Sequence, residues 1–183
     1  MFDIKNILIE SIFLGFGFFI MFSSQLIWFR SNYKNTLLKR LNESAIFLVR
    51  VAGILYLLYW VFQILMNQNV EFSLLNRFDK AYGWVFWLYV LVLPILSQLF
   101  WVKKIQEHSL FRILIGQIMV FFSVVFSDHF SQGLNLIHHE YVGSYEVFKT
   151  ITLPFLKNIL FFGIVLVITY RIQNKKKTKL LNL

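Results

Sequence analysis

Long runs of apolar residues, separated by short polar stretches, form the pattern of this sequence. Each run holds about 20 residues, the length that an α-helix needs to cross the hydrocarbon core of a bilayer. The pattern therefore predicts an all-α fold, a polytopic transmembrane helical bundle of five spans in a single domain. The predicted spans are residues 7–29, 45–66, 82–102, 110–126 and 151–172, followed by a basic tail at 173–183.

Two features inside the spans predict how the helices pack. Ser11 and Gly15 lie one turn apart in the first span, and small residues at that spacing let a second helix approach closely. Pro94 interrupts the backbone hydrogen bonding of the third span, so we expect a kink there.

Composition agrees with a membrane protein. The chain is 58% hydrophobic with a mean hydropathy of +0.65, whereas soluble domains are roughly 45–50% apolar. It contains no cysteine, which excludes disulfides, thiolate metal sites and cysteine catalysis.

The basic residues predict the orientation. Lysine and arginine concentrate in the stretch from Arg30 to Arg40, in the turn from Lys103 to Arg112, and in the tail. The positive-inside rule then places the N-terminus outside and the C-terminus inside a bacterial inner membrane. Orientation explains the formal net charge of +9 without nucleic acid as a partner. We expect the tail to be disordered and held near anionic headgroups, at about 1 kcal/mol per basic residue.

Three ionisable residues fall inside the predicted spans: Glu10, Arg50 and Lys157. Such residues usually face the interior of a bundle and often mark function. Arg50 lies close enough to a span end for its long side chain to snorkel to the interface, or it faces the interior. Glu10 and Lys157 lie at similar depths, so they form either a structural ion pair or part of a proton path.

The polar segment after the fourth span carries the chain's main candidate chemistry: Asp128, His129, His138, His139 and Glu140. Three interpretations are open. The segment is a solvated loop, a metal site of His and carboxylate ligands, or a proton-accepting site beside a quinone headgroup. The spacing matches no specific metal motif, and no predicted span has a histidine in its middle that would ligate a b-type haem.

Part of the chain, from Tyr82 to about Ile172, resembles the NrfD-like (polysulfide-reductase-type) membrane subunits of quinol-linked complexes, including alternative complex III. One stretch that carries the resemblance is the helix end from Pro94 to Lys104, with its Gln-Leu-Phe-Trp run and paired lysines. A second is His129-Phe130 followed, after seven residues, by His138-His139-Glu140-Tyr141, and the third is the final apolar helix that comes after it. The resemblance covers about half of the chain, and it implies a membrane subunit that works near quinone.

These observations predict a small subunit of a larger quinone-linked electron-transfer complex. It would lie in the lipid bilayer beside other membrane subunits and carry no redox centre or covalently bound cofactor of its own; whether it is an enzyme stays open. One alternative is a small oligomeric transporter or channel that uses Glu10, Arg50 and Lys157. Another is an assembly or scaffold protein of the membrane without chemistry.

Overall fold

The computed structural model describes residues 7–29, 36–66, 83–125 and 148–181, and all regular structure in these ranges is helical. This confirms the all-α prediction for the described part of the chain. A π-helical segment, Ile7–Phe13, leads into α1 (Leu14–Phe29), and a π-helical turn, Phe148–Thr152, leads into α6 (Leu153–Leu181). Between them lie α2 (Thr36–Met66), α3 (Gly83–Leu99), α4 (Lys103–Glu107) and α5 (Ser109–Val125).

Two helices are long and apolar enough to cross a membrane, judged by length and composition. Their apolar segments are Leu37–Gln63 in α2 and Leu153–Lys175 in α6. The other three predicted spans correspond to shorter apolar helices in α1, α3 and α5. Pro94 lies fully buried inside α3.

Two helices extend beyond their predicted spans. α2 begins at Thr36 rather than at residue 45, because its first turns are amphipathic: Lys39 and Arg40 are exposed, whereas Asn42 is buried. α6 continues through the basic tail to Leu181, so the expectation of a disordered tail is wrong for these residues. The tail has no Gly or Pro, and lysine both propagates a helix and is favourable near its C-terminus.

Glycines fix the contact between α1 and α5. A Cβ added at Gly17 would lie 2.7 Å from Val120, and one added at Gly116 would lie 2.7 Å from Ile20. Residue numbers rise along one helix as they fall along the other, so α1 and α5 are antiparallel. The two backbones approach so closely that no larger residue fits at either glycine without displacement.

The packing face predicted from Ser11 and Gly15 is confirmed. The Ser11 hydroxyl donates a hydrogen bond to Asn158 Oδ1 at 2.9 Å, and a Cβ at Gly15 would lie 2.4 Å from Phe162. The segment that begins with Ile7–Phe13 and α6 therefore run parallel in close contact.

Aromatic side chains fill the centre of the bundle. Phe13 meets Tyr56 of α2 edge to face with ring centroids 5.8 Å apart, and Phe16 meets Phe100 in the same way at 5.2 Å. All four side chains are fully buried. This core joins the segment Ile7–Phe13 to α2 and α1 to the end of α3, and it determines where the polar residues of these helices meet.

Candidate functional site

Polar side chains gather where the middle of α2 meets the end of α3. We call them the Arg50 cluster; its members are Arg50, Ser97, Gln98, Trp101 and Gln106. The Arg50 guanidinium donates a hydrogen bond through Nη2 to the main-chain carbonyl of Phe100. The Gln106 side chain donates to the same carbonyl at 2.5 Å. One buried carbonyl therefore accepts two side-chain donors from different helices.

The cluster lies at the end of α3 because the last carbonyls of that helix need hydrogen-bond donors. The last carbonyls of a helix have no partner inside the helix, and they carry the negative end of its dipole. Here the backbone tightens into a turn, with Trp101 N–H donating to Gln98 O at 3.0 Å and Val102 N–H to Leu99 O at 3.1 Å. The carbonyl of Phe100 is left for side chains, and a guanidinium is a favourable donor because it is charged.

A second set of contacts holds the same helices together. Gln98 Nε2 donates to the main-chain oxygen of Arg50 at 3.1 Å, and Gln98 Oε1 accepts from Trp101 Nε1 at 2.7 Å. The guanidinium carbon of Arg50 lies 4.5 Å from the centroid of the Trp101 ring, within the range of a cation–π interaction. Arg50 is thus hydrogen-bonded to the end of α3 through both its main-chain oxygen and its guanidinium.

Gly53 makes this approach of α2 to α3 possible. A Cβ at Gly53 would lie 1.8 Å from Ser97 Oγ and 2.8 Å from Gln98 Nε2. Ser97 is fully buried, and its hydroxyl donates back to the Pro94 carbonyl at 2.6 Å. A glycine is therefore required one turn from Arg50 for the two helices to stay at this distance.

The Arg50 cluster can hold a fixed positive charge and orient the end of α3. Arg50 is half-buried, and its Nε has no hydrogen-bond partner in the described part of the chain. Trp101, Lys103 and Lys104 are exposed immediately beyond it. These hydrogen bonds hold α2 against the end of α3, and the exposed Trp101, Lys103 and Lys104 lie just beyond them. The Arg50 side chain reaches the end of α3, and its two interpretations, snorkelling to the interface and an interior role, both stay predictions.

The other predicted site residues lie elsewhere. Lys157 is exposed on α6, beside the Asn158 that bonds Ser11. The backbone of Glu10 belongs to the segment Ile7–Phe13, but its side chain is outside what the structure describes, so its pairing with Lys157 stays a prediction. The outer polar residues are all outside the described residues: Asp128, His129, His138, His139 and Glu140.

Sequence reasoning did not assign roles to Gln98 and Gln106. Gln98 is the last residue but one of α3, a helix that is apolar apart from Ser97 and Gln98, and Gln106 follows the paired lysines. The side-chain amide of a glutamine has two N–H donors, and a main-chain carbonyl can accept from them. Which carbonyl it is depends on the neighbouring helix, and that information is not local to either glutamine.

In the ranges that the structure describes, no three His, Asp or Glu side chains come together in a group that would hold a metal ion. The described polar chemistry is thus that of hydrogen-bonded amides, hydroxyls and guanidinium groups. No protein-family model, curated protein or solved structure matches this chain.

Proposed function

We propose that this chain is a five-span subunit of a larger integral membrane complex, of the quinone-linked electron-transfer type that the sequence resemblance implies. In this proposal the N-terminus is outside and the C-terminus inside a bacterial inner membrane. The chain packs against other membrane subunits and has no redox centre of its own.

Exposed apolar surface supports a membrane setting. The apolar segment of α6 is only 11% buried and that of α2 only 33% buried. Side chains such as Leu65 at 67% exposed and Leu160 at 68% exposed face outward. Apolar faces of this extent are covered by lipid or by a partner protein, because in water they would associate.

The observation that carries the subunit proposal is the environment of the glycines. Four described helical glycines, Gly15, Gly17, Gly53 and Gly116, lie where a Cβ would come within 3 Å of a neighbouring helix or its side chains. At Gly163 of α6 a Cβ would meet nothing within 4 Å in the described part of the chain. In membranes, small residues mark the places where helices approach closely.

Gly163 stands in the middle of an apolar face of α6. Leu160 and Val167 lie one turn before and one turn after it, Ile164 follows it directly, and all three are exposed. A glycine flanked by large apolar residues forms a shallow notch into which a ridge of another helix fits. We call this the α6 outer face, and a transmembrane helix of a partner subunit is its proposed occupant.

The distribution of charge supports the proposed orientation. The Ser44 hydroxyl donates to Gln173 Oε1 at 2.8 Å, which brings the start of α2 to the C-terminal part of α6. The turn from α3 to α5 lies toward the same end, because α2 and α3 are antiparallel through the Arg50 cluster. We call this the basic end. Its exposed cations are Lys39, Arg40, Lys103, Lys104, Arg171 and Lys175.

The quinone-linked part of the proposal rests on the resemblance and on the residue types of the outer segment. Asp128, His129 and Glu140 are of the kind that accept protons from quinol. His129→Ala and Glu140→Gln are expected to slow quinol turnover of the parent complex. Unchanged turnover in both variants would remove the outer segment from the chemistry and leave a purely structural subunit.

A substitution series at Gly163 tests the subunit proposal. The wild type, Gly163→Ala and Gly163→Leu are extracted gently with an affinity tag, and the co-eluting membrane proteins are quantified against the chain itself. Overpacking a close helix contact costs about 1–3 kcal/mol, so Leu is expected to lower partner retention roughly tenfold and Ala less. Val61→Phe on the exposed surface of α2 is the control for added bulk. Equal retention in all four proteins would contradict the proposal.

A further inference from the structure

An exposed apolar stripe runs along α3 toward its C-terminal end. Leu88, Leu91 and Ile95 follow one another at spacings of three and four residues, which places them on one face of the helix. All three side chains are exposed, so the helices that the structure describes leave this face open. In a bilayer, such a stripe faces either lipid or another protein.

Trp101 lies just beyond the stripe, and its indole is both fixed and exposed. Its Nε1 donates to Gln98 Oε1 at 2.7 Å, and the Arg50 guanidinium lies over its ring, 4.5 Å from the ring centroid. Even so, the Trp101 side chain is 61% exposed. An indole that is already held in place loses little conformational freedom when a ligand packs against it. Exposed tryptophans are also typical of the level at which lipid headgroups begin.

The charges beside this indole are mainly positive. Lys103 and Lys104 follow Trp101 within three residues, and both are exposed. The Arg50 guanidinium over the ring adds a third positive charge. Glu107, at the other end of α4, is the one acidic residue of that helix. Charge complementarity therefore favours an occupant with a net negative charge next to the indole.

These cations lie on the side of the bundle rather than at its tip. A Cβ at Gly53 would lie 1.8 Å from Ser97 Oγ, so the end of α3 is level with the part of α2 around Arg50. From Arg50, α2 continues toward the basic end for about 20 Å, as far as Thr36. An occupant would therefore lie beside the helices, with its apolar part on the stripe and its charged part on the lysines.

The length of the surface fits one lipid leaflet. From Leu88 to Trp101 the chain covers about 20 Å along the helix direction, whereas half of the hydrocarbon core of a bilayer is about 15 Å thick. Acyl chains of a single leaflet can therefore lie along the stripe while their headgroup reaches the lysines. An isolated anion would use only the basic part of this surface.

We infer that this surface binds one anionic phospholipid, and we call it the α3 outer face. It consists of Leu88, Leu91, Ile95, Trp101, Lys103 and Lys104. An acyl chain packs along the stripe, and the phosphate accepts hydrogen bonds from the two ammonium groups. A zwitterionic phospholipid binds less well, because its own cation is repelled by the lysines. The inference does not depend on the subunit proposal, since the purified chain should bind the lipid by itself.

Quenching of tryptophan fluorescence in vesicles tests this inference. The purified full chain is reconstituted in phosphatidylcholine vesicles that contain a fixed fraction of either brominated phosphatidylglycerol or brominated phosphatidylcholine. Bromine quenches an indole only at near contact, and the Trp101 signal is the difference between the wild type and Trp101→Phe. Each close cation is expected to favour an anionic lipid roughly fivefold. We therefore expect phosphatidylglycerol to be preferred over phosphatidylcholine at Trp101 by at least about fivefold.

Two pairs of substitutions show whether the preference belongs to the α3 outer face. Lys103→Gln combined with Lys104→Gln should bring the preference to within about twofold of equality. Both lysines are exposed, so their loss should disturb the fold little. The matched control is Lys39→Gln combined with Arg40→Gln. It removes two exposed cations about 15 Å along α2 from Arg50, beyond a Debye length in physiological salt, and it should change the preference by less than about twofold.

The lysine variants keep all five tryptophans, so their total quenching can be compared with that of the wild type even if Trp101→Phe does not fold. Equal quenching of the wild type by the two brominated lipids would overturn the inference, since the face would then take any lipid. Absence of quenching at Trp101 by either lipid would show that a second copy of the chain covers the face. An equal loss of preference in the control pair would show a diffuse field, and relief of quenching by inorganic phosphate would show a site for free anions; both contradict the inference.

Discussion

The Arg50 guanidinium donates a hydrogen bond to the main-chain carbonyl of Phe100, so a charge in the middle of α2 satisfies the end of α3. Phe100 is fully buried, and its ring packs on Phe16 of α1. The hydrogen bonds of the Arg50 cluster and the aromatic core therefore meet at Phe100. Disturbing Arg50 is expected to loosen α3 against two neighbouring helices at once.

Arg50→Met is expected to lower the free energy of unfolding in detergent by about 1–3 kcal/mol, because it leaves the Phe100 carbonyl with Gln106 as its remaining side-chain donor. Arg50→Lys should recover only part of the loss, since an ammonium lacks the planar fork. A double-mutant cycle with Trp101→Leu should yield a coupling energy of about 0.5–1 kcal/mol for the cation–π contact. Additive effects would show that the guanidinium and the indole do not interact.

Gly53→Ala is expected to be among the most damaging single-methyl changes in the chain. The new Cβ would lie 1.8 Å from Ser97 Oγ, and the helices must separate by enough to cost about 1–3 kcal/mol. Ser97→Ala in the same chain removes the closest atom and should restore part of the Tm. Gly163→Ala is the matched control for the purified chain, because there the new Cβ would meet no atom within 4 Å in the described part of the chain, and Ala is a stronger helix former than Gly. A Tm equal to that of the wild type for Gly53→Ala would contradict the close approach of α2 and α3.

The proposed orientation predicts which residues a membrane-impermeant thiol reagent reaches from outside. The chain has no cysteine, so each introduced cysteine is unique. Lys104→Cys, in the turn after α3, is expected to be protected in intact cells and labelled after permeabilisation. Lys149→Cys, ahead of α6, should be labelled in both. The reverse pattern would show that the orientation is opposite to the proposed one. Labelling of both sites in intact cells would contradict a span between them and so the five-span topology.

The hypothesis of a Glu10–Lys157 ion pair predicts non-additive effects on stability. Lys157→Leu is expected to destabilise the chain in detergent melts, because it leaves the Glu10 carboxylate unpaired. Combining it with Glu10→Gln should recover much of the loss. Lys157 is exposed on α6, so the expected coupling is modest, about 1 kcal/mol or less. Equal stability of the single and the double variant would rule out the pairing.

Local patterns predict the helices and one of their contacts. In the described ranges the apolar runs indicate the long helices to within a few residues at most ends. Ser11 with Gly15 indicates a close helix contact, because small residues one turn apart in a span let another helix approach. The extra turns of α2 before residue 45 are amphipathic rather than apolar, so a search for apolar runs misses them. The helical tail is missed because charge alone suggests disorder, whereas a run without Gly or Pro can continue an existing helix.

Contacts between helices are not predictable in the same way. That Arg50 would bond the end of α3, or that Gly53 would face Ser97, depends on which helices are neighbours and on their register. Arg112 illustrates the difference most clearly. In the sequence it is one more basic residue of a turn that sets orientation, yet its side chain is 7% exposed.

The measurement that tests the central claim most directly is the mass and composition of the particle that a gentle native extraction releases from the source membrane. We expect the chain in a fixed stoichiometry with other membrane subunits and with subunits that carry haem, iron–sulfur or similar redox centres. A particle that contains this chain alone, or only copies of it, would contradict a role as a subunit of an electron-transfer complex.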